Sequence, residues 1–153
     1  MKRFGGWNNA SKYGASKVTY KGITFDSRYE RDRYIYLCQL QKDGKISNLR
    51  LQTQFLLIPQ VTKFVEVQLK TKVRYDARVV EMAAYYHNDF TYKEDDKYVC
   101  EEFKSEMTSK LPDYILRRKL MVQKIYAHNK KCHGKWIFRE VIYKNKKITI
   151  TDK

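Results

Sequence analysis

The sequence predicts an α/β fold, a mixed central sheet flanked by helices. Three observations carry that expectation. Two helix starts, Ser27-Arg28-Tyr29-Glu30 and Pro112-Asp113, are separated by a long run of strand-like segments. Within that run Asp89-Phe90-Thr91-Tyr92 and Tyr98-Val99-Cys100-Glu101-Glu102-Phe103-Lys104 flank a polar turn, Lys93 to Lys97, and read as a hairpin. A further strand-like pair follows the second helix. The order helix, strands, helix, strand places helices against a sheet.

Taken in order, residues 1–22 are rich in Gly, Asn, Ser and Lys, with Trp7, Tyr13 and Tyr20 interleaved. They read as a mobile basic and aromatic leading segment, with a single domain over 23–153. Lys12 and Lys17 in this segment are candidate contacts to nucleic acid, although a tail without a role fits the composition equally well. Ser27-x-x-Glu30 has the form of a capping box. The helix it opens is expected over Arg28 to Lys42, ending at Asp43-Gly44, with Tyr34, Leu37, Cys38 and Gln41 as its inward stripe. Strands are expected at Ile46 to Leu51, at Gln52 to Ile58 before Pro59, and at Phe64 to Leu69. Val73 to Val80 is charged and ambiguous, and Met82 to Tyr86 feeds the strand that carries Asp89. Ser105 to Lys110 reads as a polar loop. Pro112 suits a first helical turn and Asp113 the positive end of its dipole. That helix is expected over 112–127, with Ile115, Val122, Ile125 and Tyr126 inward. Trp136 to Ile142 and Ile148 to Ile150 complete the strands around a turn at Tyr143 to Lys147.

Composition narrows the partner. The 153 residues suit one domain, and 42% hydrophobic with 14% aromatic residues suffices for a core. Lys and Arg number 32 against 17 Asp and Glu, a net charge of +15, which selects an anionic partner and most simply nucleic acid. No apolar run reaches membrane-spanning length and the amino terminus lacks an apolar signal core, so the expectation is a cytoplasmic protein with no membrane partner. Three widely spaced cysteines, Cys38, Cys100 and Cys132, are expected as thiols. His128, Cys132 and His133 lack the spacing and the fourth ligand of a zinc site.

The chemistry is concentrated in the hairpin. Side chains alternate along a strand, so Cys100, Glu102 and Lys104 share one face while Val99, Glu101 and Phe103 share the other. Asp89 can reach the first face from the neighbouring strand. Two carboxylates hold a hard cation such as Mg²⁺ through oxygen. A lysine beside them can orient water or offset developing negative charge. This is the equipment of metal-assisted phosphodiester hydrolysis. An acid-x-Lys triplet also arises by chance on a solvated strand face, and Asp76 and Glu81 are rival carboxylates. Glu30 has two readings: a capping residue, or an acid that faces the metal. Arg118 and Lys119 fall within or beside the apolar stripe of the second helix, where a cation either snorkels to water or meets an anionic ligand.

The ordered set of motifs resembles small phage and prophage proteins of the PD-(D/E)XK nuclease superfamily, over roughly residues 12–142. The set comprises Tyr13-Gly14, Gly22-Ile23-Thr24-Phe25-Asp26-Ser27-Arg28-Tyr29-Glu30, Gly44-Lys45-Ile46, Leu49-Arg50-Leu51-Gln52, Asp89-Phe90, Glu101-Glu102-Phe103-Lys104 and Arg117-Arg118-Lys119-Leu120. The resemblance implies a restriction-endonuclease-like core. It also implies metal ligands at Asp89 and Glu102, a catalytic lysine at Lys104, and Glu30 as the acid of the first helix. Mg²⁺ is the implied cofactor, with Mn²⁺ able to substitute, and DNA the implied partner, met in addition by Arg117, Arg118 and Lys119. Glu102 stands where Asp is commoner, Ser105 where Gly is usual, and the segment 60–84 is long and charged.

Two functions follow as expectations. The first is a Mg²⁺-dependent DNA endonuclease, possible as a homodimer, acting on junctions or other branched DNA in phage recombination or DNA processing. The second is a nucleic-acid-binding protein with a degenerate nuclease fold. Clustered acids weaken binding to a polyanion unless a cation sits between them, which favours the first.

Overall fold

The computed structural model describes residues 16–153. Strands β1 (Val18–Tyr20) and β2 (Ile23–Phe25) form a hairpin that leads into helix α1 (Arg28–Lys42). The domain boundary expected at residue 22 therefore falls inside a paired hairpin, because Val18 to Tyr20 hydrogen-bond across to Phe25, Thr24 and Ile23. Lys12 lies outside the described residues. The Ser27 side chain caps α1 by accepting from the Glu30 N–H at 3.1 Å. Helix α1 ends where expected, with Gly44 in the left-handed region at φ +72° just past the cap.

Next come β3 (Ile46–Leu51), β4 (Gln54–Ile58), β5 (Val61–Gln68), β6 (Val73–Glu81), β7 (Ala84–His87), β8 (Phe90–Glu94) and β9 (Lys97–Ser105). The short helix α2 (Glu106–Ser109) and the long helix α3 (Pro112–Cys132) follow, then β10 (Trp136–Lys144) and β11 (Lys147–Asp152). The fold is mixed α/β. Its central sheet has the order β11-β10-β9-β8-β3, with β10 parallel to β9 and every other neighbour antiparallel. Two smaller pairs, β4–β7 and β5–β6, stand as separate two-stranded sheets.

Several expected boundaries move. The run from Met82 does not continue into the strand with Asp89: β7 pairs with β4, and Asp89 lies in the bend between β7 and β8. Ser105 to Lys110 is not a loop, because Ser105 caps α2 by accepting from the Thr108 N–H at 3.2 Å. Helix α3 runs five residues beyond the expected 127, to Cys132, and its buried positions are Tyr114, Met121 and Ile125, with Tyr126 exposed. The hairpin turns are tighter than read from sequence. Asp95-Asp96 suffices between β8 and β9, and Asn145-Lys146, both with positive φ, between β10 and β11.

The pleat divides the core in two. On the α1 side Leu37, Ile46, Phe90, Tyr92, Val99, Phe103 and Val141 pack together. On the α3 side Tyr86, Cys100, Met121, Ile125 and Phe138 do so, with Phe55 and Leu57 of β4 against them. Strand β9 is therefore covered on both faces. No helix among the described residues is long and apolar enough to cross a membrane. Cys38, Cys100 and Cys132 are free thiols.

Candidate functional site

The register of the β8–β9 hairpin builds the site. Phe90 pairs with Glu101 and Thr91 with Cys100. Extending that antiparallel register by one step sets Asp89 beside Glu102, so the two carboxylates share a face. Lys104 is two residues along β9 on the same face. Its ammonium lies 2.5 Å from Glu102 Oε1 and 3.4 Å from Asp89 Oδ2, and it donates to Phe103 O at 3.2 Å. Asp89 Oδ2 also accepts from the Phe103 N–H at 2.7 Å, which pins its carboxylate against β9. Three oxygens, two from β9 and one from the bend before β8, thus surround one cation.

One oxygen of this group has no partner. Glu102 is 4% exposed, and its Oε2 is buried without a hydrogen bond. The Tyr86 hydroxyl faces it and favours the ionised form, yet that oxygen too lacks a formed hydrogen bond. Burial raises the Glu102 carboxyl to about 7, and the neighbouring Asp89 charge adds to the rise, against the pull of Lys104. Burial likewise lifts Asp89 above the usual carboxylate range, although Lys104 and the Phe103 N–H oppose it. Burial alone would lower the Lys104 ammonium, but Asp89 and Glu102 outweigh it and hold the lysine above its ordinary value. Cys100, on the same face, is kept as a thiol by burial.

Glu30 ties the start of α1 locally and also feels the charges of the hairpin. Its Oε2 accepts from the Asp26 N–H at 3.0 Å, one residue ahead of the usual capping-box partner, so it ties the chain entering α1. Burial raises its carboxyl to about 7, Asp89 raises it further and Lys104 lowers it. The start of α1 therefore lies within electrostatic reach of the hairpin acids. Glu101 points to the opposite face. There it meets Arg33 of α1 in a two-pronged ion pair, 2.7 and 2.8 Å, and accepts from the Tyr92 hydroxyl at 2.6 Å.

Two residues that sequence reasoning missed extend the polar row. Glu140 on β10 pairs in register with Glu102 and is buried on the same face. It accepts from Tyr114 at 2.7 Å and Arg118 at 2.7 Å, and also pairs with Lys153. Burial would raise its carboxyl, but Lys153, Tyr114 and Arg118 hold it below the ordinary range. The Tyr114 ring in turn lies 5.9 Å from the Lys104 ammonium and 5.6 Å from the Arg118 guanidinium. The parallel register of β9 and β10, which no local pattern encodes, is what reveals Glu140.

The expected DNA contacts separate. Arg118, partly buried, donates to Glu140 Oε1 at 2.7 Å. Arg117 pairs with Asp113 on the exposed side of α3, 3.3 Å away. Lys119 lines a shallow hollow of about 450 Å³ with Arg118, Val122, Gln123, Tyr126 and Lys153. Lys17 is exposed and pairs with Asp26 at 3.4 Å. The rival acids lie elsewhere: Asp76 is on β6, paired with Arg74 at 2.7 Å, and Glu81 ends that strand.

A family described as "Protein of unknown function (DUF1064)" matches residues 10–147. The chain belongs to that family. No curated protein and no solved structure matches it. The matched span takes in α1, the β8–β9 hairpin and α3, and hence Glu30, Asp89, Glu102, Lys104 and Glu140.

Among the described residues no three or more His, Cys, Asp or Glu side chains are gathered closely enough to hold a metal by themselves. Mg²⁺ does not demand that: it usually takes one or two carboxylates and keeps waters and substrate phosphates as its remaining ligands. An orphaned carboxylate oxygen beside a second carboxylate, both oriented on one ammonium, is a donor set that fits a hard cation.

Proposed function

We propose that this protein is a divalent-metal-dependent DNA endonuclease with a PD-(D/E)XK-like core. The observation that carries the reading is the buried Oε2 of Glu102, left without a partner beside Asp89 and Lys104 in a strongly basic chain. A buried carboxylate oxygen whose neighbouring donor, the Tyr86 hydroxyl, forms no hydrogen bond to it is costly in a merely structural role. It is useful where a cation is to be received.

Asp89 and Glu102 would hold Mg²⁺, or Mn²⁺ in its place, which would polarise the scissile phosphate and supply an activated water. The protein's own part is orientation. The Phe103 N–H fixes the Asp89 carboxylate. The pleat of β9 sets Lys104 next to both acids, so its charge can offset the negative charge that develops on phosphate oxygens. Glu30, near neutrality in its proton affinity and within reach of Asp89, is suited to orient or deprotonate water at the rim. Branched DNA is the substrate form proposed, with a homodimer supplying two such sites for two strands. The proposed setting is the cytoplasm of a bacterial host.

The test is cleavage of labelled duplex, single-stranded and four-way-junction DNA with and without Mg²⁺. Cleavage that requires the metal and is lost in Asp89→Asn supports the reading. Tight binding of all substrates with no cleavage under either Mg²⁺ or Mn²⁺ would overturn it in favour of a non-catalytic DNA-binding protein.

A further inference from the structure

The segment 61–81 forms a ribbon that the proposed chemistry does not use. Strands β5 and β6 pair only with each other, through eight residue pairs from Val61–Glu81 to Gln68–Val73. A lone two-stranded ribbon is marginal in water. This one is also exposed over most of both faces.

Its register sorts the side chains. On one face stand Lys63 opposite Arg78, then Val65 opposite Asp76, then Val67 opposite Arg74. On the other stand Phe64 opposite Ala77 and Glu66 opposite Tyr75, with Phe64 75% and Tyr75 65% exposed. Like charges directly opposite each other on a ladder are destabilising. Lys63 and Arg78 are such a pair, and among the described residues neither has a carboxylate partner. Arg74 differs, being paired with Asp76 at 2.7 Å. Beyond the strands the turn adds Lys70 and Lys72, again without a carboxylate partner among the described residues. An anion between Lys63 and Arg78 removes the repulsion that the ribbon otherwise carries.

The ribbon is also tied to the site through its base. It grows from the β4–β7 pair, whose first rung, Gln54 with His87, is two residues from Asp89. Gln52, at the start of that excursion, donates its N–H to Asp89 O at 3.0 Å. At about 3.3 Å per residue, Lys63 is at most roughly 30 Å along the chain from Gln54, about one turn of duplex away. A two-stranded ribbon is of a size that the DNA major groove admits.

We propose that the β5–β6 ribbon is an arm that grips duplex DNA, with Lys63, Arg78, Lys70 and Lys72 on backbone phosphates. This rests on the reading above only in taking DNA as the substrate. The second occupant that the ribbon could take is another copy of the chain, seated on Phe64 and Tyr75. The unpaired cation rung favours the polyanion.

The experiment measures binding of the full chain to a labelled duplex across a salt series without divalent metal. The variants are Lys63→Gln with Arg78→Gln, and Lys70→Gln with Lys72→Gln. Each phosphate contact contributes about 0.9 to the slope of log affinity against log salt, so each double variant should flatten that slope by about 1.8. Turnover at saturating DNA should stay unchanged while KM rises. Lys63→Arg with Arg78→Lys keeps both charges and should keep the slope. Loss of the slope in that variant, or an unaltered slope in the Gln variants, overturns the proposal. So does dissociation of an oligomer by Phe64→Ser with Tyr75→Ser in light scattering while the Gln variants bind normally. If the Gln variants flatten the slope but the wild type never cleaves DNA, the arm stands and the nuclease reading falls. If the wild type cleaves and the slope does not move, the reverse holds.

Discussion

Glu101 and Glu102 are neighbours on one strand, both almost fully buried, and their surroundings are opposite in kind. Glu101 looks toward α1 and has each oxygen engaged, by the Arg33 guanidinium and the Tyr92 hydroxyl. Tyr92 in turn accepts from Arg139 at 3.1 Å, and Arg139 is locked by Asp152. Glu102 looks toward α3, shares one lysine with Asp89, and leaves an oxygen unpaired. The α1 face solves the burial of a charge completely. The opposite face solves it in part, leaving a place for one more positive group. A satisfied buried carboxylate is structural; a deficient one, next to a second carboxylate, is the feature on which the proposed cation site rests.

The largest effects should come from breaking the satisfied side. Arg33→Ala leaves Glu101 charged and buried with only a tyrosine, and should lower stability by about 3–5 kcal/mol. Urea unfolding monitored by circular dichroism measures it. Glu102→Gln should cost clearly less stability, since it removes a charge that already lacks a full set of partners. Equal losses for the two would erase the contrast.

The next effect belongs to the deficient side. Lys104→Ala should lower kcat by about 10²–10³, the range for removing one group that stabilises transition-state charge. Affinity for duplex should barely change, and lower salt should not restore turnover. Parallel losses of binding and cleavage that low salt restores would make Lys104 an ordinary phosphate contact. The same assay on Arg33→Lys, which keeps charge beside Glu101, should show turnover near normal for folded protein.

A smaller effect separates the faces by pH. Glu30 and Glu102 both titrate at about 7, above the ordinary 4.5. Between those values the folded chain holds protons that the unfolded chain has released. Without metal, stability from these groups is therefore fullest below about pH 4.5 and declines as pH rises toward 7. A cation binds the deprotonated carboxylates and releases those protons, so Mg²⁺ should raise the melting temperature more at about pH 8 than at about pH 5.5. Asp89→Asn should abolish the metal-dependent shift. A Mg²⁺ shift independent of pH, or one that survives Asp89→Asn, would move cation binding away from this pair.

How far this contrast was legible beforehand follows from the range of the interactions. Alternation along β9 was enough to send Glu101 and Glu102 to opposite faces, and Ser27-x-x-Glu30 was enough to start α1 at Arg28. Both are local rules. Arg33 carried no signal, because a buried cation is recognisable only from its counter-ion 68 residues away. Glu140 and its hold on Arg118 depend on a parallel pairing across all of α3. The separation of β4–β7 and β5–β6 from the central sheet was also hidden, since strand propensity says nothing of which strand is a partner.

The smallest effect sharpens the comparison at its edge, where Glu30 belongs to both regions. Its carboxylate ties the Asp26 N–H, as a structural group does. It also titrates under the influence of Asp89 and Lys104, as a member of the site does. Glu30→Gln retains an oxygen for the Asp26 N–H while removing the charge, and should change stability by well under the ~1 kcal/mol of a lost cap. Glu30→Ala removes both and should lose about that amount. If Glu30 serves the water or the metal, the two variants should lose turnover alike, despite their different stabilities, and the Gln variant should flatten the rise of kcat with pH near 7. Turnover that follows stability, intact in Glu30→Gln and reduced only as far as Glu30→Ala unfolds, would place Glu30 wholly with the structural acids and leave Asp89 and Glu102 as the only carboxylates of the site.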